Sequence, residues 1–139
     1  MKTEKISVNL SPVELGQIDC LVERGLFDSR SDFMRSAARK SLDNYSDEFQ
    51  KFLNPEHLSG ESTGLWFTIG ITALSKNDVK NFIASNKKIN IRVIGLLNIS
   101  NSITPNEIKQ VVKSCKVHGK LVASKEAKEA LREIEETDE

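Results

Sequence analysis

The stretch KISVNLSPVEL, residues 5–15, decides how the beginning of the chain folds. Ile6, Val8 and Leu10 alternate with polar residues, which predicts a strand of about six residues with one apolar side. The next strand-like run begins only at Leu65, so this strand has no nearby partner in its own chain. A single strand leaves N–H and C=O groups unpaired along both edges. The segment therefore needs a partner strand from elsewhere.

Two helices are predicted directly after this strand, joined by a short turn. The first begins at Ser11, because a capping serine is followed by Pro12 and by Glu14, which completes a capping box. Gly25 predicts its end as a left-handed cap residue. The segment Ser29–Asp32 repeats the capping-box arrangement and predicts the start of a second helix.

A unit of one strand and two short helices buries too little apolar area to offset the loss of chain entropy. A symmetric dimer solves this problem, because two copies of the strand then pair antiparallel while four helices cover their apolar side. The outer side of such a ribbon presents Lys5, Ser7 and Asn9 from each copy. The major groove of DNA admits a two-stranded ribbon of this kind.

The segments ISVNL, residues 6–10, and VELGQIDCLVERGLFDSRSDFMRSAARKSL, residues 13–42, resemble the ribbon-helix-helix DNA-binding family. That family includes the Arc and methionine repressors and the CopG-like regulators. The resemblance covers about residues 4–45. It implies that Lys5, Ser7 and Asn9 contact DNA bases.

The same resemblance implies a contact to DNA phosphate at the start of the second helix, by Ser29, Arg30 and Ser31. Physical chemistry supports this site independently. A helix N-terminus with free N–H groups and small hydroxyl residues is suited to bind an anion.

The second half of the chain contains three similar units. Residues 46–63 are predicted to be a linker made of a short acidic helix and a loop. After it, Gly70, Gly95 and Gly119 are each followed five residues later by a serine. Each unit joins a strand-like run to an amphipathic helix, with helix starts predicted at Ser75, Thr104 and Ser124. This spacing favours a small βα-repeat domain over residues 64–136. The alternative, a ferredoxin-like domain, requires a turn within KINIRVIGLLNIS, residues 88–100.

Charge is balanced over the whole chain but not along it. The formal net charge is zero, and 29% of the residues are charged. Residues 64–124 carry nine Lys or Arg against two Asp or Glu, whereas residues 125–139 carry three against seven. Two interpretations of this contrast remain open: solvated helix faces, or an anion or nucleic-acid surface in the second half.

Several classes of protein are not expected from these residues. No apolar run reaches 18 residues, so we expect no membrane span, and the charged N-terminus favours the cytoplasm over secretion. No phosphate loop or nucleophile–base motif is present, so we expect neither an enzyme nor a cofactor. Cys115 and His118 make a weak metal pair, because a strong site needs three or four ligands.

The sequence therefore predicts an α/β protein with two domains, a dimeric ribbon-helix-helix over residues 1–45 and an interaction or effector domain over residues 64–136. We expect a transcriptional regulator, most simply a repressor, that binds double-stranded DNA as a homodimer. Association through the second domain predicts a tetramer. The alternative function is an antitoxin whose second half neutralises a toxin.

Overall fold

The computed structural model describes residues 3–53 and 63–137. Contacts divide the chain into two compact units, Met1–Ser46 and Asp47–Glu139, which are described separately. The helices are α1 (Pro12–Glu23), α2 (Arg30–Asp43), α3 (Ser46–Leu53), α4 (Lys76–Ala84), α5 (Pro105–Val111) and α6 (Lys125–Thr137). The strands are β1 (Thr63–Leu74), β2 (Lys88–Ile99) and β3 (Val112–Val122).

Both ends of α1 follow the predicted signals. The Ser11 hydroxyl accepts a hydrogen bond from the Glu14 N–H at 3.2 Å, and the Glu14 carboxylate accepts one from the Ser11 N–H at 3.0 Å. At the other end, Gly25 has φ +79° and its N–H donates to Val22 O. The Leu26 N–H donates to Leu21 O. These two bonds form a Schellman motif, which satisfies the last carbonyls of the helix.

The start of α2 is as predicted, but its capping box is incomplete. The Ser29 hydroxyl accepts a hydrogen bond from the Asp32 N–H at 3.1 Å. The Asp32 carboxylate, however, accepts from the Asp28 N–H at 3.1 Å and not from the N–H of the capping serine. The carboxylate thus stabilises the turn before the helix as well as the helix start.

The N-terminal unit has almost no core of its own in one chain. Ile18 is the only buried hydrophobic residue within residues 3–46. Residues 3–10 belong to no strand in the single chain, and their apolar side chains are exposed: Ile6 by 82%, Val8 by 54% and Leu10 by 37%. An isolated unit of this kind buries too little apolar surface to be stable.

The C-terminal unit is built on a three-stranded sheet in which each strand runs parallel to its neighbour. The strand order along the sheet is the order along the chain, and α4 and α5 connect successive strands. Strand β2 runs without a turn from Lys88 to Ile99, whereas a ferredoxin-like arrangement needs a turn there. The described strands and helices are therefore consecutive βα units.

The glycines of the three units lie in one row across the sheet. Gly70 is in register with Gly95, and Gly95 with Gly119. Their φ angles are +131°, +134° and +123°, which side chains rarely tolerate. A Cβ added at Gly95 would overlap the Gly70 carbonyl oxygen and lie 2.9 Å from its carbon. The close approach of neighbouring strands therefore requires glycine at this position.

All three helices after the strands pack against one face of the sheet, called here the inner face. Ile91, Val93 and Leu97 of β2 are fully buried there. The helix residues that join this core are Val79 from α4, Ile108 and Val111 from α5, and Ala127, Ala130 and Leu131 from α6. The opposite, outer face carries the alternate side chains of each strand.

The helix starts predicted in the second half are confirmed. The Ser75 hydroxyl accepts from the Asp78 N–H at 3.2 Å and the Thr104 hydroxyl from the Glu107 N–H at 3.3 Å. The Ser124 hydroxyl accepts from the Ala127 N–H at 3.2 Å. Each cap begins the helix that follows a strand and returns along the inner face.

Part of the segment predicted as a linker is helical. Helix α3 lies almost wholly in the second unit, where Leu53 is buried and the Phe52 ring centre lies 4.5 Å from that of His118. Hydrophobic contact thus attaches this helix to the sheet unit. The rest of the predicted linker, residues 54–62, lies outside the described residues.

An ion pair joins successive βα units. The Lys76 ammonium at the start of α4 donates to the Glu107 carboxylate on α5 and to Ser102 O at 3.1 Å. The carboxylate also accepts from the Thr104 N–H at 3.1 Å. The Lys76 side chain, followed by the Thr104 backbone, lowers the pKa of Glu107 from 4.5 to about 2.

We expect this pair to make the stability of the C-terminal unit depend on pH. A carboxyl group with a lowered pKa in the folded state stabilises the fold fully above pH 4.5, and this contribution is lost as the pH falls towards 2. Urea midpoints followed by Trp66 fluorescence should therefore fall over this range. Glu107→Gln should show a smaller fall, and an unchanged pH dependence in that variant would contradict the assignment.

Candidate nucleic-acid interface

An open apolar groove lies between the N-terminal segment and the two helices of the first unit. Ile6, Val8 and Leu10 form one wall. The helices contribute the other apolar residues, Leu15 and Ile18 from α1, and Met34 and Ala38 from α2. The apolar side of residues 6–10 thus faces a cleft that one chain leaves open to solvent.

The polar residues of the same segment are fully accessible. Lys5, Ser7 and Asn9 are all exposed, and they alternate with the residues that form the groove wall. Ammonium, hydroxyl and amide groups supply the donors and acceptors that match base edges in the major groove. The three predicted base-contacting residues therefore share one short, accessible segment.

The predicted phosphate residues lie together at the start of α2. Ser29, Arg30 and Ser31 are exposed. Helix geometry leaves the N–H groups of Arg30 and Ser31 without acceptors inside the helix. Such N–H groups, with the positive end of the helix dipole, favour an anion.

Arg30 is held by a contact that no sequence motif indicates. Its Nε and Nη2 atoms each lie 2.7 Å from a carboxylate oxygen of Asp19 on α1. The hydrogen bonds from Arg30 lower the pKa of Asp19, and in return the pKa of Arg30 is raised. The pair fixes the guanidinium beside the start of α2, although the acid also competes with any other anion there. An acid eleven residues before an arginine carries no local sequence signal.

A family model described as the Ribbon-Helix-Helix transcriptional regulator family matches residues 1–128. The chain belongs to this family. Neither a curated protein nor a solved structure matches it significantly.

The family match corrects the extent of the resemblance. The ribbon-helix-helix motifs are concentrated in about residues 4–45, and the predicted likeness covers only those residues. The match instead continues through the parallel sheet and ends at residue 128, in α6. The family model therefore covers the three strands of the sheet as well as the two N-terminal helices.

The two residues considered for a metal lie on opposite faces of β3. Cys115 is buried on the inner face, where burial raises the pKa of its thiol to about 12, and His118 is exposed on the outer face. Among the described residues, no group of three or more His, Cys, Asp or Glu is placed to hold a metal ion. None of the described helices is long and apolar enough to cross a membrane.

Proposed function

We propose that this regulator binds specific DNA sequences as a ribbon-helix-helix dimer. Residues 5–10 of two copies pair antiparallel, and Ile6, Val8 and Leu10 of each copy close the groove of the other. These three side chains are exposed and also form one wall of the open groove. The pairing is supported because it would cover the side chains and the groove together. Dimer formation then completes a hydrophobic core for the N-terminal unit.

Lys5, Ser7 and Asn9 of both copies enter the major groove in this proposal. Ser7 and Asn9 do not line the groove, so pairing leaves them accessible, whereas Lys5 is exposed and also lines the groove. Side chains of this type discriminate bases through hydrogen bonds to base edges. The two-fold symmetry of the dimer predicts an operator with palindromic or tandem half-sites.

The start of α2 positions the dimer on the DNA backbone. We infer that the N–H groups of Arg30 and Ser31, with the Ser29 hydroxyl, bind one phosphate per copy. The Asp19 carboxylate keeps the guanidinium of Arg30 close to that phosphate. Contacts of this kind fix the register of the protein but carry no sequence information. A bound dimer represses by excluding polymerase from its promoter.

Asn9→Ala tests which residues contact bases. On an operator selected from random DNA, we expect a loss of about 1–3 kcal/mol per affected base contact and a relaxed preference at that position. Fluorescence anisotropy against operator and scrambled DNA measures both effects.

Arg30→Ala is the contrasting variant in the same experiment. Loss of the guanidinium charge beside the phosphate should weaken binding to operator and scrambled DNA alike, and should reduce the slope of affinity against salt by about one. Specific affinity that survives Asn9→Ala unchanged would show that the strand does not contact bases there.

A further inference from the structure

The first strand of the sheet is an unprotected edge. Among the described residues, β1 pairs only with β2, and its 12 residues, TGLWFTIGITAL, include no charged side chain. At about 3.3 Å per residue the edge is about 40 Å long. Natural proteins block free edges of this kind with charged residues, proline or bulges, because unpaired N–H and C=O groups recruit another strand.

The opposite edge strand is protected in the usual way. β3 carries Lys113, Lys116 and Lys120 within its 11 residues. Lysine is the residue most often used against edge pairing. The two edges of one sheet thus differ sharply in their capacity to associate.

The outer face beside the free edge is apolar and exposed. Phe67 is exposed by 50%, Ile69 by 57% and Ile71 by 62%. Their neighbours on β2 in register with the two isoleucines are Ile94 and Leu96, which are only partly buried. An apolar strip that adjoins an unpaired strand edge is typical of an interface between chains.

We propose that β1 pairs antiparallel with β1 of a second copy and so joins two dimers into a tetramer. The edge pairing goes beyond DNA binding and does not depend on it, whereas the number of four chains rests on the N-terminal dimer of the proposed function. A two-fold axis at Ile69 places this residue opposite its own copy, and places Phe67 opposite Ile71 of the other chain. Residues directly opposite on one face of an antiparallel pair lie close enough to pack. This register gives each of the three exposed side chains a cross-strand neighbour on the outer face.

The difference between the edges also limits the assembly. Pairing of β1 with β3 of another copy would be head-to-tail and would extend without closing. The lysines of β3 oppose that arrangement. Pairing of β1 with β1 is self-complementary, so each sheet stops growing after two copies. The result is a continuous six-stranded sheet whose two outer edges are both protected.

Ile69→Lys tests this interface in the full-length chain. It places two ammonium groups opposite each other at the axis, so the tetramer dissociation constant should rise on the order of 100-fold or more. Sedimentation velocity at micromolar concentration should show a tetramer for the wild type and a dimer for this variant. Val122→Lys is the matched control, because it adds the same charge to an exposed position on the same face of β3. It should remain tetrameric.

Hydrogen exchange distinguishes edge pairing from contact through the face alone. Peptides covering residues 65–72 should exchange more slowly in the wild type than in Ile69→Lys, because the free edge amides become bonded in the tetramer. A dimeric wild type, or an Ile69→Lys chain that stays tetrameric, would overturn the proposal. Equal exchange of these peptides in tetramer and dimer would overturn the edge pairing.

Discussion

Replacing Gly95 with alanine is expected to unfold the C-terminal unit. The added Cβ would overlap the carbonyl group of Gly70 on the neighbouring strand, which is backbone and has no side chain to move away. The φ angle of +134° adds strain of its own. We expect a loss on the order of 4 kcal/mol or more, which is comparable with the whole stability of many domains. Urea unfolding followed by the fluorescence of Trp66, the single tryptophan, measures it.

Gly70→Ala is the matched control for this prediction. Gly70 has nearly the same φ angle, +131°, but nothing lies within 4 Å of an added Cβ. Only the backbone strain applies, so we expect a loss of about 1–3 kcal/mol. Equal losses in the two variants would show that close strand approach is not what requires glycine in this row.

Val8→Asp is expected to abolish pairing of the N-terminal units and, with it, DNA binding. Val8 lies in the wall of the open groove with Leu10, Ile18 and Met34, so the proposed dimer buries two carboxylates in a largely apolar interface. Burying an unpaired charge costs several kcal/mol per group. The affinity for DNA should therefore fall by more than about 100-fold.

The oligomeric state of this variant is best measured in an Ile69→Lys background, which removes any association through β1. There Val8→Asp should sediment as a monomer with reduced helical circular dichroism. Ser7→Asp is the control, because it changes the neighbouring residue on the other side of the segment. It should stay dimeric while losing DNA affinity, since the polyanionic DNA repels a carboxylate in the major groove. A dimeric Val8→Asp chain would refute pairing through this segment.

Local signals in the sequence predict much of this fold. Helix caps act within four or five residues, so they can be predicted from residue spacing alone. This holds for the capping residues of α1, α2, α4 and α5 and for the left-handed Gly25. The repeated Gly-to-Ser spacing likewise anticipated three strands, each followed by a helix. The parallel register of the glycine row could not be derived, because it depends on pairing between strands about 25 residues apart.

The candidate DNA site was only partly predictable for a similar reason. Alternation along residues 5–10 separates Lys5, Ser7 and Asn9 from the apolar side chains, and this follows from the period of a strand. The pairing of Arg30 with Asp19 depends on how α1 and α2 pack, which no short motif encodes. The exposure of Ile69 on the free sheet edge is likewise a property of the strand order.

Parallel selection of bound DNA from random sequence tests the central claim most directly. Purified wild type is compared with a chain that carries Lys5→Ala, Ser7→Ala and Asn9→Ala together. We expect the wild type to enrich one motif with palindromic or tandem half-sites, and the triple variant to retain only weak, salt-sensitive binding without a motif. Enrichment of the same motif by both proteins, or of no motif by the wild type, would contradict sequence-specific binding through the N-terminal strand.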